Sequence, residues 1–183
     1  MVKASVIEVE RNLDLALLKI TRNPFKGEVR SGVKIQGKEV LLDVGVVKLS
    51  SHRYPDGTPV AISGYPLNET ILISSFGWMS GSWGYSLSDS QNFFIYDSYW
   101  LDLTNNKGNS GGPAYLAQNG VVFGVCVGSK KAYVTSNAQK IKVQKDGKIN
   151  TLDYLSGITK VIPARYVIEL LKRNNVAFEE KVF

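Results

Sequence analysis

The sequence predicts an all-β chain, built as a β-barrel or sandwich, with a single helix near its C-terminal end. Short extended segments rich in β-branched residues recur along the chain, and turn residues separate them at fairly regular spacing. Apolar residues recur at helical spacing only after Pro163. With 44% hydrophobic and 21% charged residues among 183, the composition is that of a globular protein and excludes a disordered or collagen-like chain.

The predicted strands are bounded by turn signals such as Pro55-Asp56-Gly57 and Gly81-Ser82. A continuous apolar run covers residues 120–128, as expected for a strand that is buried on both faces. A lysine-rich segment, residues 129–150, follows this run and is predicted to be a solvated loop. The segments predicted as strands are residues 2–9, 15–20, 39–49, 58–63, 70–76, 93–97 and 120–128.

A C-terminal helix is predicted over residues 163–174. Pro163 stands where a first-turn proline is tolerated, because its missing N–H would have no partner there. Tyr166, Val167, Leu170 and Leu171 then recur at helical spacing, which favours a helix packed against the barrel.

Charge, cysteine and histidine content exclude several classes of function. The chain has 22 basic and 16 acidic residues, a formal charge of +6 that is compatible with anionic partners without indicating them. One cysteine, Cys126, excludes an internal disulfide, and its place in the apolar run predicts a buried core residue. A single cysteine and a single histidine also exclude a cysteine zinc cage and a histidine-rich metal site. We expect no metal and no cofactor. No membrane span is predicted, because the longest apolar run is far shorter than the ~20 residues a spanning helix needs. No nucleic-acid partner is predicted either, because core packing explains most of the aromatic residues.

The most informative motif is the hexapeptide Gly-Asn-Ser-Gly-Gly-Pro at residues 108–113. Glycines on both sides of Ser110 allow a sharp turn that aims backbone N–H groups inward, as a serine attacking a carbonyl requires. The same residues satisfy the Gly-x-Ser-x-Gly pattern of α/β-hydrolases, which needs a helix directly after the serine and a histidine later. Pro113 and the absence of any histidine after Ser110 exclude that alternative.

The chain resembles the chymotrypsin-like serine peptidases, and within them the HtrA/Deg-type proteases most closely. The resemblance rests on four segments in the family's order, of which the hexapeptide is the most specific. It implies a chymotrypsin-like double β-barrel with a C-terminal helix, in which the second barrel is nearly complete and the first is only a remnant. The four segments are Asp-Leu-Ala-Leu-Leu-Lys-Ile at 14–20, Val-Ala-Ile-Ser-Gly-Tyr-Pro-Leu at 60–67, the hexapeptide, and Gly-Ile-Thr-Lys-Val-Ile-Pro-Ala at 157–164.

Carried over position by position, the resemblance implies a role for each matching residue. Ser110 would be the nucleophile, Asp14 the acid that orients the base, and the N–H groups of Gly108 and Ser110 the oxyanion hole. Val127, Gly128 and Ser129 would pair with the substrate backbone as an added strand. Thr104 would lie in the wall of the specificity pocket, and its uncharged side chain argues against cleavage after arginine or lysine.

The triad histidine is missing from the place where the family has it. That residue should lie upstream of Asp14, but only thirteen residues precede Asp14 and none is a histidine. A serine without a general base is a poor nucleophile. The single histidine, His52, lies between the expected barrels on the wrong side of Asp14, so a polar surface histidine is the favoured interpretation.

The resemblance also divides the chain. We expect residues 1–20 to be the remnant of the first barrel, 21–57 a linker or insert, 58–162 the second barrel, and 163–183 the helix and tail. Two strands cannot close a barrel. Three explanations stay open, namely a truncated chain, a start codon assigned too late, or a natural fragment that another chain completes; truncation is favoured because Val2 continues in the middle of the strand pattern. No signal-peptide core is visible, so the default compartment is the cytoplasm, although a missing N-terminus could carry an export signal.

The predicted function is that of a serine endopeptidase, inactive as this chain, whose partner is a peptide or an unfolded protein. The alternative is a non-catalytic peptide-binding module that keeps the barrel and has lost the base. A third hypothesis is a structural β-barrel that uses the fold for assembly.

Overall fold

The computed structural model describes residues 3–21, 29–35, 38–42, 46–89, 92–136, 139–145, 148–151 and 153–181. Within these residues, sixteen β-strands and one α-helix confirm the predicted all-β class with a C-terminal helix. The strands are β1 Ala4–Glu10, β2 Leu15–Ile20, β3 Val29–Ile35, β4 Lys38–Leu42, β5 Lys48–Leu49, β6 Pro59–Gly64, β7 Ile73–Asp89, β8 Asn92–Asp102, β9 Pro113–Leu116, β10 Val122–Tyr133, β11 Thr135–Ser136, β12 Gln139–Lys140, β13 Lys142–Lys145, β14 Lys148–Thr151, β15 Asp153–Pro163 and β16 Glu179–Glu180. The helix α1 covers Ala164–Arg173.

Six of the strands form a closed antiparallel barrel. Their order is β15-β8-β7-β6-β9-β10, and β10 pairs with β15 to close the ring. Side chains alternate between the two faces of each strand. Val60 and Ile62 from β6 therefore meet Tyr99 and Leu101 from β8 in the interior, where all four are at most 2% exposed. Cys126 is fully buried in the same core, as predicted.

Two smaller apolar clusters attach the ends of the chain to the barrel. Leu13 and Leu15, which flank the turn between β1 and β2, pack against Ile162 of β15. Ile168 of α1 packs with Leu49 and Val122. The β1–β2 hairpin and the helix therefore lie against the β10–β15 part of the barrel.

Ion pairs on the solvent side add to the docking of the β1–β2 hairpin. Arg173, in the last turn of α1, donates to the carboxylate of Glu8 at 2.6 Å and reaches that of Glu10 at 3.4 Å. Asn174 Nδ2 donates to the other oxygen of Glu8 at 2.5 Å. These contacts join β1 to the end of α1, across a sequence separation of more than 160 residues.

The structure corrects several predicted elements. Gly81-Ser82 is not a turn, because β7 continues through it to Asp89 and absorbs the irregularity as a β-bulge between Met79 and Gly81. The segment predicted as a solvated loop, residues 129–150, instead continues β10 and then forms the paired strands β11–β12 and β13–β14. Residues predicted as one strand, 39–49, divide into β4 and β5, and positions 43–45 between them lie outside the described residues.

Candidate active site

The loop that carries Ser110 is fixed by its own backbone and by β10. The Gly112 N–H donates to the Asn109 carbonyl at 3.0 Å, which closes a tight turn around Ser110. Gly111 donates to the Cys126 carbonyl at 2.7 Å, and Cys126 donates to the Gly112 carbonyl at 2.9 Å. The Ser110 side chain is exposed at the top of this turn, just before β9 begins.

Glycine is required at position 108 for two reasons. Its φ of +103° lies in the region that L-residues rarely adopt. A β-carbon there would also overlap the carbonyl oxygen of Tyr65. The close approach arises because Tyr65 donates its N–H to the Gly108 carbonyl at 3.2 Å and Leu67 donates to the Lys107 carbonyl at 2.7 Å. The turn at residues 65–67 thus supports the side of the loop that faces away from β10.

Two donors of this loop are left available. Within the part of the chain that the structure describes, neither the Gly108 N–H nor the Ser110 N–H donates a hydrogen bond to another protein group. Both residues are exposed, so these N–H groups are accessible to water or to a bound ligand. Such a pair beside a serine is the arrangement that stabilises an oxyanion in acyl transfer.

Asp14 lies in the turn between β1 and β2, directly after the 3-10 turn Arg11–Leu13. It has a left-handed backbone, with φ of 55°, and its N–H donates to the Arg11 carbonyl at 3.3 Å. Its side chain is exposed and borders a cavity of about 450 Å³. Its neighbours Leu13 and Leu15 pack near Val125 and Val127 of β10, the strand that also holds the Ser110 loop. Asp14 and Ser110 therefore lie on two segments that both contact β10. Their side chains do not form a direct hydrogen bond with each other.

His52 is exposed and lies at the other end of β10. It follows β5, whose Leu49 pairs with Val122 of β10. Val122 is four residues before Cys126, so these two residues of β10 lie roughly 13 Å apart along the strand. Its ring packs edge-on against Tyr54, with centroids 5.0 Å apart. The strand pairing thus places Leu49, three residues before His52, beside the start of β10.

A buried asparagine joins the loop before Ser110 to β10. Asn105 is 4% exposed, and its Nδ2 donates to the Gly128 carbonyl at 3.0 Å and to the Cys126 sulfur at 3.2 Å. Ser129 Oγ donates in return to the Asn105 carbonyl at 2.9 Å. Thr104, by contrast, is exposed. Asn105 therefore supplies the buried contact between these two segments, and the pocket role of Thr104 stays a prediction.

The pairing of β10 with β9 ends before the segment Val127–Ser129. The β9 partners of β10 end at Val125, opposite Pro113. A register shift follows between Cys126 and Gly128 on the β15 side. The Gly128 carbonyl already accepts from Asn105, and because a carbonyl has two lone pairs it retains one for a further donor.

Comparison with known sequences identifies the family. The profile of the trypsin-like peptidase domain matches residues 1–125, which include the Asp14 turn and the Ser110 loop. The chain belongs to the trypsin-like peptidase family. No protein of curated function matches its sequence significantly.

Solved structures agree with this assignment. The active form of the Rv3671c protease from M. tuberculosis superposes with a TM-score of 0.61 at 16% identity, covering 97% of this chain and 61% of that one. An inactive form of the same protease gives 0.59 at 17% identity, covering 94% and 66%. The chain therefore spans less than two thirds of the length of these proteins. At this identity the likeness shows the fold, and it confirms the chymotrypsin-like barrel with a C-terminal helix.

Two sets of contacts near Ser110 were not predicted from the sequence. Thr104 stays a prediction for the pocket wall, and the buried contacts of its neighbour Asn105 were not predicted, since only burial distinguishes two adjacent polar residues in a loop. Tyr65 and Leu67 were recognised as part of a family segment, but not as the support of the Ser110 loop. In the described residues no cluster of acidic, histidine or cysteine side chains is arranged to hold a metal, and no helix there is long and apolar enough to cross a membrane.

Proposed function

We propose that this trypsin-like chain is part of a serine endopeptidase that cleaves peptide bonds through an acyl-enzyme at Ser110. The observation that carries the proposal is the loop itself. An exposed serine stands beside two N–H groups, from Gly108 and Ser110, that have no partner among the described residues. In related chemistry one such donor contributes about 10²–10³ in turnover.

In the proposed reaction the Ser110 Oγ bonds to the peptide carbonyl carbon, and its proton passes to a general base. The carbonyl oxygen becomes anionic and accepts hydrogen bonds from the Gly108 and Ser110 N–H groups. The C–N bond then breaks, and the amine leaves with the proton from the base. Water repeats the sequence to hydrolyse the ester. Asp14 would orient the base and stabilise its protonated form.

The base is a histidine that these 183 residues do not supply at the required place. His52 follows Asp14 in the chain, and it lies three residues after Leu49, which pairs with Val122 at the start of β10. Loss of the base costs on the order of 10⁶ in turnover, because triad residues act as a unit. We therefore expect this chain alone to hydrolyse peptides poorly, with the residual acceleration of roughly 10³–10⁴ over water that an oxyanion hole and binding provide.

A non-catalytic peptide-binding module is the second candidate, and the position of His52 favours it. Such a module would bind the peptide backbone at Val127–Ser129, beside Asn105, without needing a base. A second chain that completes the first barrel is a further proposed partner, since β1 and β2 form only a two-stranded sheet. The aliphatic residues exposed on this two-stranded sheet include Val6, Val9 and Leu18, which are 61%, 51% and 55% exposed.

One comparison separates the two functions. Peptide hydrolysis would be measured for the 183-residue chain and for a version extended upstream through the first histidine-bearing strand, each beside its Ser110→Ala variant. Ser110-dependent turnover confined to the extended protein supports the peptidase. Peptide binding with no turnover in either supports the module. Robust turnover by the short chain would overturn the assignment of the base and make His52→Ala the next variant to assay.

A further inference from the structure

A cavity of about 810 Å³ opens on the outer face of the barrel, where β7, β8, β15 and β10 lie side by side. Leu101 of β8 and Thr159 of β15 are fully buried, so the residues next to them in each strand point outward. Thr104 and Val127–Ser129, the predicted substrate contacts, do not line this outer cavity. Its lining includes Ser80, Gly81, Trp100, Asp102, Lys130 and Ile158.

Three of the lining residues form a row across the strands. Ile158 of β15 pairs with Asp102 of β8 on one side. On its other side lies β10, where Lys130 follows Ser129, the partner of Thr159. Neighbouring strands are about 4.8 Å apart, so the backbones of Asp102 and Lys130 are separated by about 10 Å. The row therefore has a carboxylate at one end, an ammonium at the other and an aliphatic side chain between them.

The two charges of the row are not neutralised by the protein. In the described part of the chain, neither Asp102 nor Lys130 forms a salt bridge or a side-chain hydrogen bond. The indole N–H of Trp100, two residues before Asp102 on the same outward face, likewise donates to no described group. Opposite charges that line one cavity without pairing are complementary to a ligand that carries both charges.

The backbone of β7 keeps the cavity open. The β-bulge between Met79 and Gly81 lies at its edge, and bulges are common beside functional sites. A β-carbon at Gly81 would meet no heavy atom within 4 Å, and its φ lies outside the left-handed region. The fold would therefore accept a side chain at Gly81, and that side chain would occupy the cavity.

We propose that the outer cavity binds short zwitterionic peptides, of about the length of a tripeptide, that have an apolar central side chain. At about 3.4 Å per residue an extended tripeptide spans about 10 Å, which matches the separation of Asp102 and Lys130. Its ammonium pairs with Asp102 and its carboxylate with Lys130, while the central side chain contacts Ile158 and the ring of Trp100. The inference does not depend on the chemistry proposed for Ser110.

The test uses the full chain carrying Ser110→Ala, so that peptides are not consumed. Unblocked Ala-Leu-Ala, its N-acetyl form and its C-amide form are titrated, and amide chemical shifts give both the affinity and the location. We expect shifts at Gly81 and Ile158, and about fivefold weaker binding for each blocked form, because each loses one partly exposed ion pair. Asp102→Asn should abolish the effect of acetylation, and Lys130→Gln the effect of amidation.

Two further variants separate the cavity from general charge and folding effects. Lys160→Gln is the matched control, because Lys160 lies on the same strand as Ile158 without lining the cavity, and it should keep both fivefold effects. Gly81→Phe should abolish binding without lowering the melting temperature.

Three results would overturn the inference. The first is equal affinity of the free and blocked peptides, or no binding of any. The second is that both fivefold effects persist in Asp102→Asn and Lys130→Gln. The third is a set of shifts confined to Val127–Ser129, which would place the peptide at the proposed substrate edge alone and leave the proposed function intact.

Discussion

Gly111 donates its backbone N–H to the Cys126 carbonyl at 2.7 Å, and this bond ties the Ser110 loop to the barrel strand that carries the predicted substrate edge. The Cys126 N–H also donates to the Gly112 carbonyl, so both the backbone N–H and the carbonyl of Cys126 form hydrogen bonds with the loop. The geometry of Ser110 consequently depends on long-range contacts as well as on its glycines.

Replacement of Gly108 by alanine should damage both stability and site. The new β-carbon would overlap the Tyr65 carbonyl at a φ of +103°, so we expect the free energy of unfolding to fall by about 2–5 kcal/mol. Gly57→Ala is the matched control, because Gly57 has φ of +84° and open space around it. Strain alone should cost Gly57→Ala about 1–2 kcal/mol. Urea denaturation measures both, and equal losses would contradict the overlap.

Asp14→Asn should separate catalysis from folding. Asparagine tolerates the left-handed backbone at this turn, so the melting temperature should stay unchanged. In a version of the protein that supplies the histidine, turnover should fall by about 10⁴, because the amide no longer fixes the tautomer of the base. Asp56→Asn, at an exposed carboxylate paired with Arg53, should leave turnover unchanged. Unchanged turnover in Asp14→Asn would remove that residue from the triad.

The buried thiol should make the fold sensitive to alkaline pH. Burial raises the pKa of Cys126 above its ordinary 9.0, and burial likewise raises the pKa of Tyr54 and Tyr99 above 10.0. A raised folded-state pKa means that the unfolded chain loses its proton first, so stability is complete below 9.0 and falls as the pH rises through it. In Cys126→Ala the decline should begin only near 10.0. The free energy of unfolding would be measured by denaturation across this pH range for the parent and for Cys126→Ala. The same pH dependence in both proteins would contradict the prediction.

Arg173→Leu should loosen the β1–β2 hairpin. The side chain bridges Glu8 and Glu10, and because Arg173 is half-exposed the loss should be about 1 kcal/mol or less. Faster amide hydrogen exchange in β1, without a change in β6, is the expected signature. Arg53→Leu, which breaks an exposed pair with Asp56, should leave β1 exchange unaltered.

The sequence by itself determined the features that depend on neighbours in the chain. The compact apolar run at 15–20 and the extended segment at 58–63 predicted β2 and β6 nearly to the residue, apolar spacing after Pro163 predicted α1, and the glycines within residues 108–113 predicted a turn around Ser110. Local patterns failed where length or pairing decided the outcome. Gly81 lies in a bulge within a 17-residue strand because β8 supplies partners on both sides of it, and the lysine-rich segment forms strands because it pairs with itself.

Only the tertiary structure decided which residues surround Ser110. Asn105 reaches Gly128 across 23 positions, and Leu67 reaches Lys107 across the β7–β8 hairpin, so no local pattern distinguishes them from other polar or apolar loop residues. The same holds for the segment before His52, which the pairing of Leu49 with Val122 places beside β10. The sequence predicts Ser110 as a nucleophile because the glycines that flank it are its neighbours in the chain, whereas the other residues around it come together only once the barrel has closed.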